Sequence, residues 1–187
     1  SKVGVTADAV GNSMDLWTAA GQPAAGSAGA AAPGGTATTN STTGNWGWKN
    51  PTNANTGHFL RCDSLVGTIN TMMIIDQLFR VAKTASSTAT EAVTGTFSRY
   101  QSGTSTAEDY IGGNFCYPAA IAAGGATAHN WTVCQYTDQD SNTAQSFPSK
   151  AGVSGINAGG IDLAAGPSSW FLGLASGDVG VKALTQM

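Results

Sequence analysis

Residues 69–81 read Ile-Asn-Thr-Met-Met-Ile-Ile-Asp-Gln-Leu-Phe-Arg-Val, the densest apolar run in a chain otherwise dilute in large side chains. Two readings compete. A helix would put Met72, Ile75 and Phe79 on one stripe, whereas a strand buried on both faces explains why 72–75 are apolar without a break. Periodicity alone does not separate them. Thr, Gly and Ser clusters bound the run closely and its neighbours also read as strands, which favours a strand over 69–76 lying mid-sheet.

The rest of the composition points the same way. Only 10% of residues are charged, against roughly 25% in an ordinary globular domain. Glycine (25 residues), with much Ala, Ser, Thr and Asn, fills the places that Lys, Glu and Leu take in a helical enzyme. Poor helix formers and abundant turn formers imply an all-β fold. At 187 residues the chain amounts to one domain with room for an extended arm. A net charge of −3 offers no electrostatic footprint for nucleic acid or for an anionic membrane surface.

Charge is also unevenly placed. Residues 16–48 and 163–177 carry none, and 110–137 carry only His129. A free surface normally mixes charges for solubility. Long uncharged stretches of small polar residues suit a surface covered by another protein, where each buried charge must be paired or desolvated. A flexible Gly/Ala/Thr linker in water is the alternative for 16–48.

Cys62, Cys116 and Cys134 are widely spaced and form no Cys-x-x-Cys pair. An odd count does not describe a secreted disulfide framework, so three reduced, mostly buried thiols in a protein made in the cytoplasm are expected. Asn40-Ser-Thr and Asn130-Trp-Thr match glycosylation acceptors, matches that arise easily by chance in a Thr-rich chain. The first residues lack a basic segment followed by an apolar one, so no export signal is expected, and Ser1 is what initiator-Met removal leaves. The Ala-rich stretch 19–33 is broken by Gly and Pro and cannot span a bilayer.

Along the chain, Met14, Leu16 and Trp17 make a small apolar anchor. Residues 19–44 are low in complexity and should be extended and irregular. They need tertiary partners to offset an ordering cost of about 1–2 kcal/mol per residue. Trp46 and Trp48, before the Asn50-Pro51 turn, form a second anchor, since each indole buries on the order of 200 Å². Residues 1–57 therefore read as an N-terminal arm pinned by Trp17, Trp46 and Trp48, the candidate interface anchors.

Residues 58–187 read as the body. Strand candidates run over 58–66, 69–76, a short edge at Val93 and Phe97, 110–117 with a Gly-Gly bend, and 131–137. In the last, the clearest, Trp131, Val133 and Gln135 should face one way and Thr132, Cys134 and Tyr136 the other. A weak candidate over 153–163 follows, then 169–175 and 179–184 joined at Ser176-Gly-Asp. About eight strands at short intervals imply an antiparallel β-sandwich of jelly-roll-like topology.

No reaction chemistry stands out. His58 and Cys62 at i, i+4 would lie about 13 Å apart along a strand. The run Asp-Gln-Asp-Ser-Asn over 138–142 resembles the start of a calcium loop, but Thr143 stands where the loop needs Gly and Ser149 where it needs Glu. A hairpin tip is the simpler reading. Nucleophile-elbow, phosphate-loop and His-Glu-x-x-His motifs are absent, and Glu108, Asp109 and Asp162 make no convincing carboxylate pair. Neither an enzyme nor a cofactor or metal site is expected. The five Trp, Trp131 and Trp170 among them, leave open a carbohydrate-binding module, although three of the five flank the low-complexity arm.

A resemblance enters through the order of short motifs. Ile74-Ile-Asp-Gln-Leu-Phe leads into a Ser/Thr-rich stretch ending in Ser98-Arg-Tyr; Cys134-Gln-Tyr-Thr-Asp-Gln-Asp follows, then Leu172-Gly-Leu-Ala-Ser-Gly-Asp-Val-Gly-Val-Lys. Asp15-Leu-Trp, Gly21-Gln-Pro-Ala-Ala and Asn50-Pro extend the pattern to the front. This order resembles a family of structural proteins encoded in tailed-phage head gene clusters. Its members carry a Leu-Tyr-Asp-Arg-Leu strand, a Tyr-Thr-Asn-Gln-Asp-Gly hairpin and an Ala-Gly-Asp-Ser-Gly-Val-Arg ending. The chain departs from the pattern at Gln77, where the family has Arg, and at Ser141, where it has Gly. The resemblance implies a virion component at the capsid surface, a decoration or cement protein sitting as a homotrimer over junctions of the major capsid protein. A tail-tube or head-fibre subunit is the nearest alternative. A cement role asks for a rigid β body, an arm laid over neighbours and several interfaces of about 1,000–2,000 Å² acting together.

Overall fold

The computed structural model describes residues 12–39, 41–45, 73–84, 89–97, 114–164 and 170–187. Among these there is no helix, and three small antiparallel sheets carry the regular structure. The all-β expectation is met. β1 (Thr36–Ala37) pairs with β2 (Phe79–Arg80), and β3 (Asn130–Trp131) pairs with β6 (Lys150–Ala151). The third sheet runs β5 (Gln145–Ser146), β4 (Gln135–Asp138), β7 (Val181–Gln186).

The three-stranded sheet holds the core. β4 is central, with Tyr136 opposite Leu184 on one side and Gln145 on the other. Register shifts between Gln135 and Tyr136 and between Thr137 and Asp138 bend the β4–β7 ladder. Residues 91–93 continue the sheet beyond β7: Glu91 and Met187 exchange backbone bonds of 2.7 and 3.0 Å, and Val93 N donates to Thr185 O. Val93 is buried there, in keeping with the edge strand expected at that position. Cys134, Tyr136, Phe147, Leu163, Leu172 and Val181 form the buried cluster. The Tyr136 and Phe147 rings lie 4.4 Å apart by centroid, a close aromatic contact.

The strand expected over 131–137 is two strands. A bend at Val133 separates β3 from β4, and each pairs with a different sheet. Alternation holds from 134 to 138, where Cys134, Tyr136 and Asp138 point inward while Val133 is 42% exposed. Two long-range contacts hold the bend: the Trp131 indole is tied to Asp162 O at 2.9 Å, and Gln186 Nε2 holds Val133 O at 2.7 Å. Of the later candidates, 179–184 appears as β7, shifted two residues on. Residues 153–163 contribute only isolated bridges through Gly160 and Ile161. Residues 170–175 are irregular although Leu172 is buried, and 114–117 are irregular too.

The mid-sheet strand over 69–76 is corrected by the structure. Residues 69–72 lie outside the described residues, but 73–76 are not strand and not central. Met73, Ile74 and Ile75 are 46%, 55% and 42% exposed. Pairing begins further along, at Phe79 and Arg80, because that is where 36–37 supply a partner.

Candidate interface anchors

Trp17 is the one predicted anchor whose surroundings are described; Trp46 and Trp48 lie outside the described residues. Its ring is 8% exposed, and its Nε1 donates to Ser27 O at 2.7 Å. Gly26 N returns a bond to Trp17 O at 2.9 Å, so 17–27 close a loop around the indole. Gly26 packs directly on the ring, with no room for a Cβ. Gly44, at φ = 106°, lies against Gly26, where a Cβ would fall 2.8 Å from Gly26 Cα. Only glycine combines that backbone angle with so close an approach.

Charge is concentrated at this point. Arg80 Nη1 pairs with Asp15 Oδ2 at 2.8 Å, both side chains about nine-tenths shielded, and its guanidinium sits 5.5 Å from the Trp17 ring centroid. A planar cation beside an indole, with one nitrogen on a carboxylate, suits Arg better than Lys. Asp15 Oδ1 also accepts from Trp17 N. Burial and the Asp15 carboxylate both push the nearby Tyr117 phenol above its ordinary value, so it stays neutral.

The low-complexity stretch is attached along its length, not only at its ends. Ala82 N donates to Ala30 O and Ala32 N to Ala82 O, both at 3.0 Å. Thr38 N donates to Leu78 O at 2.9 Å, and the Thr38 hydroxyl donates to Gln77 O. Thr94 N and Gly95 N both donate to Pro33 O. Small residues make this possible: a Cβ on Gly95 would collide with Gly34 O, and one on Gly35 with the Phe79 ring. Trp17 and the 27–39 segment thus anchor the front of the chain to its own residues 77–82 and 94–95.

Among the described residues, the exposed large hydrophobic side chains are Met73, Ile74 and Ile75 with Leu16, Phe115, Ile121, Val133 and Val179. Single exposed apolar residues need no explanation; three in succession make a larger apolar stretch than a lone residue does.

The groups with chemical potential are committed elsewhere. Asp138 accepts from Asp140 N, Asn142 N and Asn142 Nδ2 at 2.8–2.9 Å. The 138–142 run is therefore the tip of the β4–β5 hairpin. Burial pushes the Cys116 thiol up to about 12, helped by Cys134, and burial raises Cys134 as well. Neither is a thiolate at neutral pH. Both are free thiols; Cys62 and His58 lie outside the described residues. No group of three potential metal ligands gathers among the described residues, and no helix there is long and apolar enough to cross a membrane. No sequence pattern hints at the His129–Asp162 contact at 2.8 Å, which joins residues 33 positions apart.

No family model, curated protein or solved structure matches this chain.

Proposed function

We propose that the protein is a virion structural component, a capsid decoration or cement protein that binds over junctions of the major capsid protein. The observation that carries the reading is the exposed Met73-Ile74-Ile75 run, on a chain whose front third holds no charge from 16 to 48. Such a surface is costly in water and suited to a dry protein contact. The resemblance to tailed-phage head proteins supplies the class of partner. Two of its motif segments also meet: the Tyr136 hydroxyl donates to Asp178 and accepts from Ala175 N at 2.8 Å. In this reading residues 1–57 are the arm, 58–187 a jelly-roll-like sandwich, and the working unit a homotrimer.

The test is copurification. Particles assembled with the protein and purified by density should retain it at a fixed ratio to the shell subunit, measured by quantitative mass spectrometry. Retention on tail-less heads separates a decoration protein from a tail-tube subunit. Absence from heads, at any ratio, overturns the proposal.

A further inference from the structure

His129 and Asp162 join two segments that share little regular structure. Residues 118–131 and 150–164 meet through β3 and β6, through Gly152 N on His129 O at 2.9 Å, and through Asp162 N on Pro118 O at 2.8 Å. Asp162 is the hub. Its Oδ1 accepts from Val153 N at 2.7 Å, its Oδ2 faces His129 Nε2 at 2.8 Å, and its backbone oxygen takes the Trp131 indole. The carboxylate is only 11% exposed, so its charge is poorly served by water.

The imidazole lies between two acceptors. Nε2 faces the Asp162 carboxylate, and Nδ1 faces Thr127 O at 3.3 Å. A neutral imidazole carries one N–H and satisfies one of these; an imidazolium carries two and satisfies both. Gly152 packs beneath the ring, where a Cβ would collide with Nε2. The charged groups on the packed elements are few. Asp162 faces the ring from 150–164, Lys150 stands across from Trp131 on β6, and residues 118–131 supply no other charge.

We infer that His129 is a proton-operated clasp, holding 118–131 against 150–164 when charged and loosening them when it loses its proton. The Asp162 hydrogen bond raises the imidazole above its usual value against a smaller opposing effect of burial. The clasp is therefore fully engaged below the unfolded value of about 6.5 and is lost as pH rises through the folded one. What it frees is an uncharged loop that carries the exposed Ile121.

The experiment uses the full chain. Imidazole nitrogen shifts are followed by NMR against pH, with His58→Gln identifying the His129 signals. His129 should titrate above 6.5, and amide exchange at Gly152 and Val153, corrected for intrinsic pH dependence, should rise roughly three- to tenfold across the same step. The His129→Gln variant should exchange fast at every pH and show no step. Titration at or below 6.5, no exchange step across the titration, or an equal step in His129→Gln, overturns the clasp; the wild-type titration and exchange step together decide the matter even if the variant fails to fold. Neither result depends on capsid binding.

Discussion

Ser141 sits at φ = 72°, in the left-handed region that costs an L side chain roughly 1–2 kcal/mol. It follows Asp140 at the hairpin tip, where its N–H donates to Asp138 O at 3.2 Å and its hydroxyl accepts from Lys182 Nζ. That second contact is exposed and adds little. Ser141→Gly should therefore stabilise the protein by about 0.5–1 kcal/mol, visible as a rise of about 1–4 °C in Tm; a fall in Tm contradicts it. Asp138, beside it, gives a pH dependence. Burial pushes its carboxyl up, but the Asn142 side chain and the backbone N–H groups of Asn142, Asp140 and Ser141 outweigh that and hold it below the usual range. The unfolded chain then takes up the proton first, near pH 3.9. Stability from this group is whole above that value and lost as pH falls through the folded one. Thermal unfolding from about pH 6 to about pH 2 should show a shallower acid-side loss in Asp138→Asn, and an unchanged acid limb would count against it. That 138–142 form a hairpin tip was legible in the residues themselves. The left-handed angle at Ser141 was not, because only the pairing of β4 with β5 sets how tightly the tip must turn.

At the scale of elements, length follows the number of neighbours. β7 is the longest strand among the described residues because β4 pairs with it on one side and 91–93 on the other. Among the described residues, β1 and β2 pair only with each other, and they stop at two residues apiece. Their neighbourhood depends on glycine: Gly95 meets Gly34 O and the Phe79 ring with no space for a methyl group. Gly95→Ala should destabilise by about 1–3 kcal/mol. The loss should appear first as faster amide exchange at Thr94 and Gly95, which both bond to Pro33 O; unchanged protection there would refute the contact. The inward set Cys134, Tyr136 and Asp138 and the closing strand near 179–184 could be read from alternation and turn residues. The split of 131–137 could not, since it rests on Asp162 and Gln186, both far along the chain.

At the scale of the molecule, burial among the described residues is shallow and much of their backbone is irregular. The buried cluster lies in the 134–181 region, while the densest apolar run of the sequence shows three of its side chains to solvent. Replacing Met73, Ile74 and Ile75 together with Ser should leave stability within about 0.5 kcal/mol, measured by urea unfolding, and should cut cosedimentation with capsids at least tenfold. Full retention on capsids would remove this run from the interface. The absence of helix among the described residues follows from the sequence itself, because Gly, Thr, Ser and Pro at this density leave few stretches in which helix propagation outweighs its nucleation. The partner of 77–82 was decided only by tertiary structure. A Gly/Ala/Thr backbone offers the same N–H and C=O groups at every position, so its side chains encode no register. Trp17, caught between Gly26 and Arg80, sets which stretch arrives there.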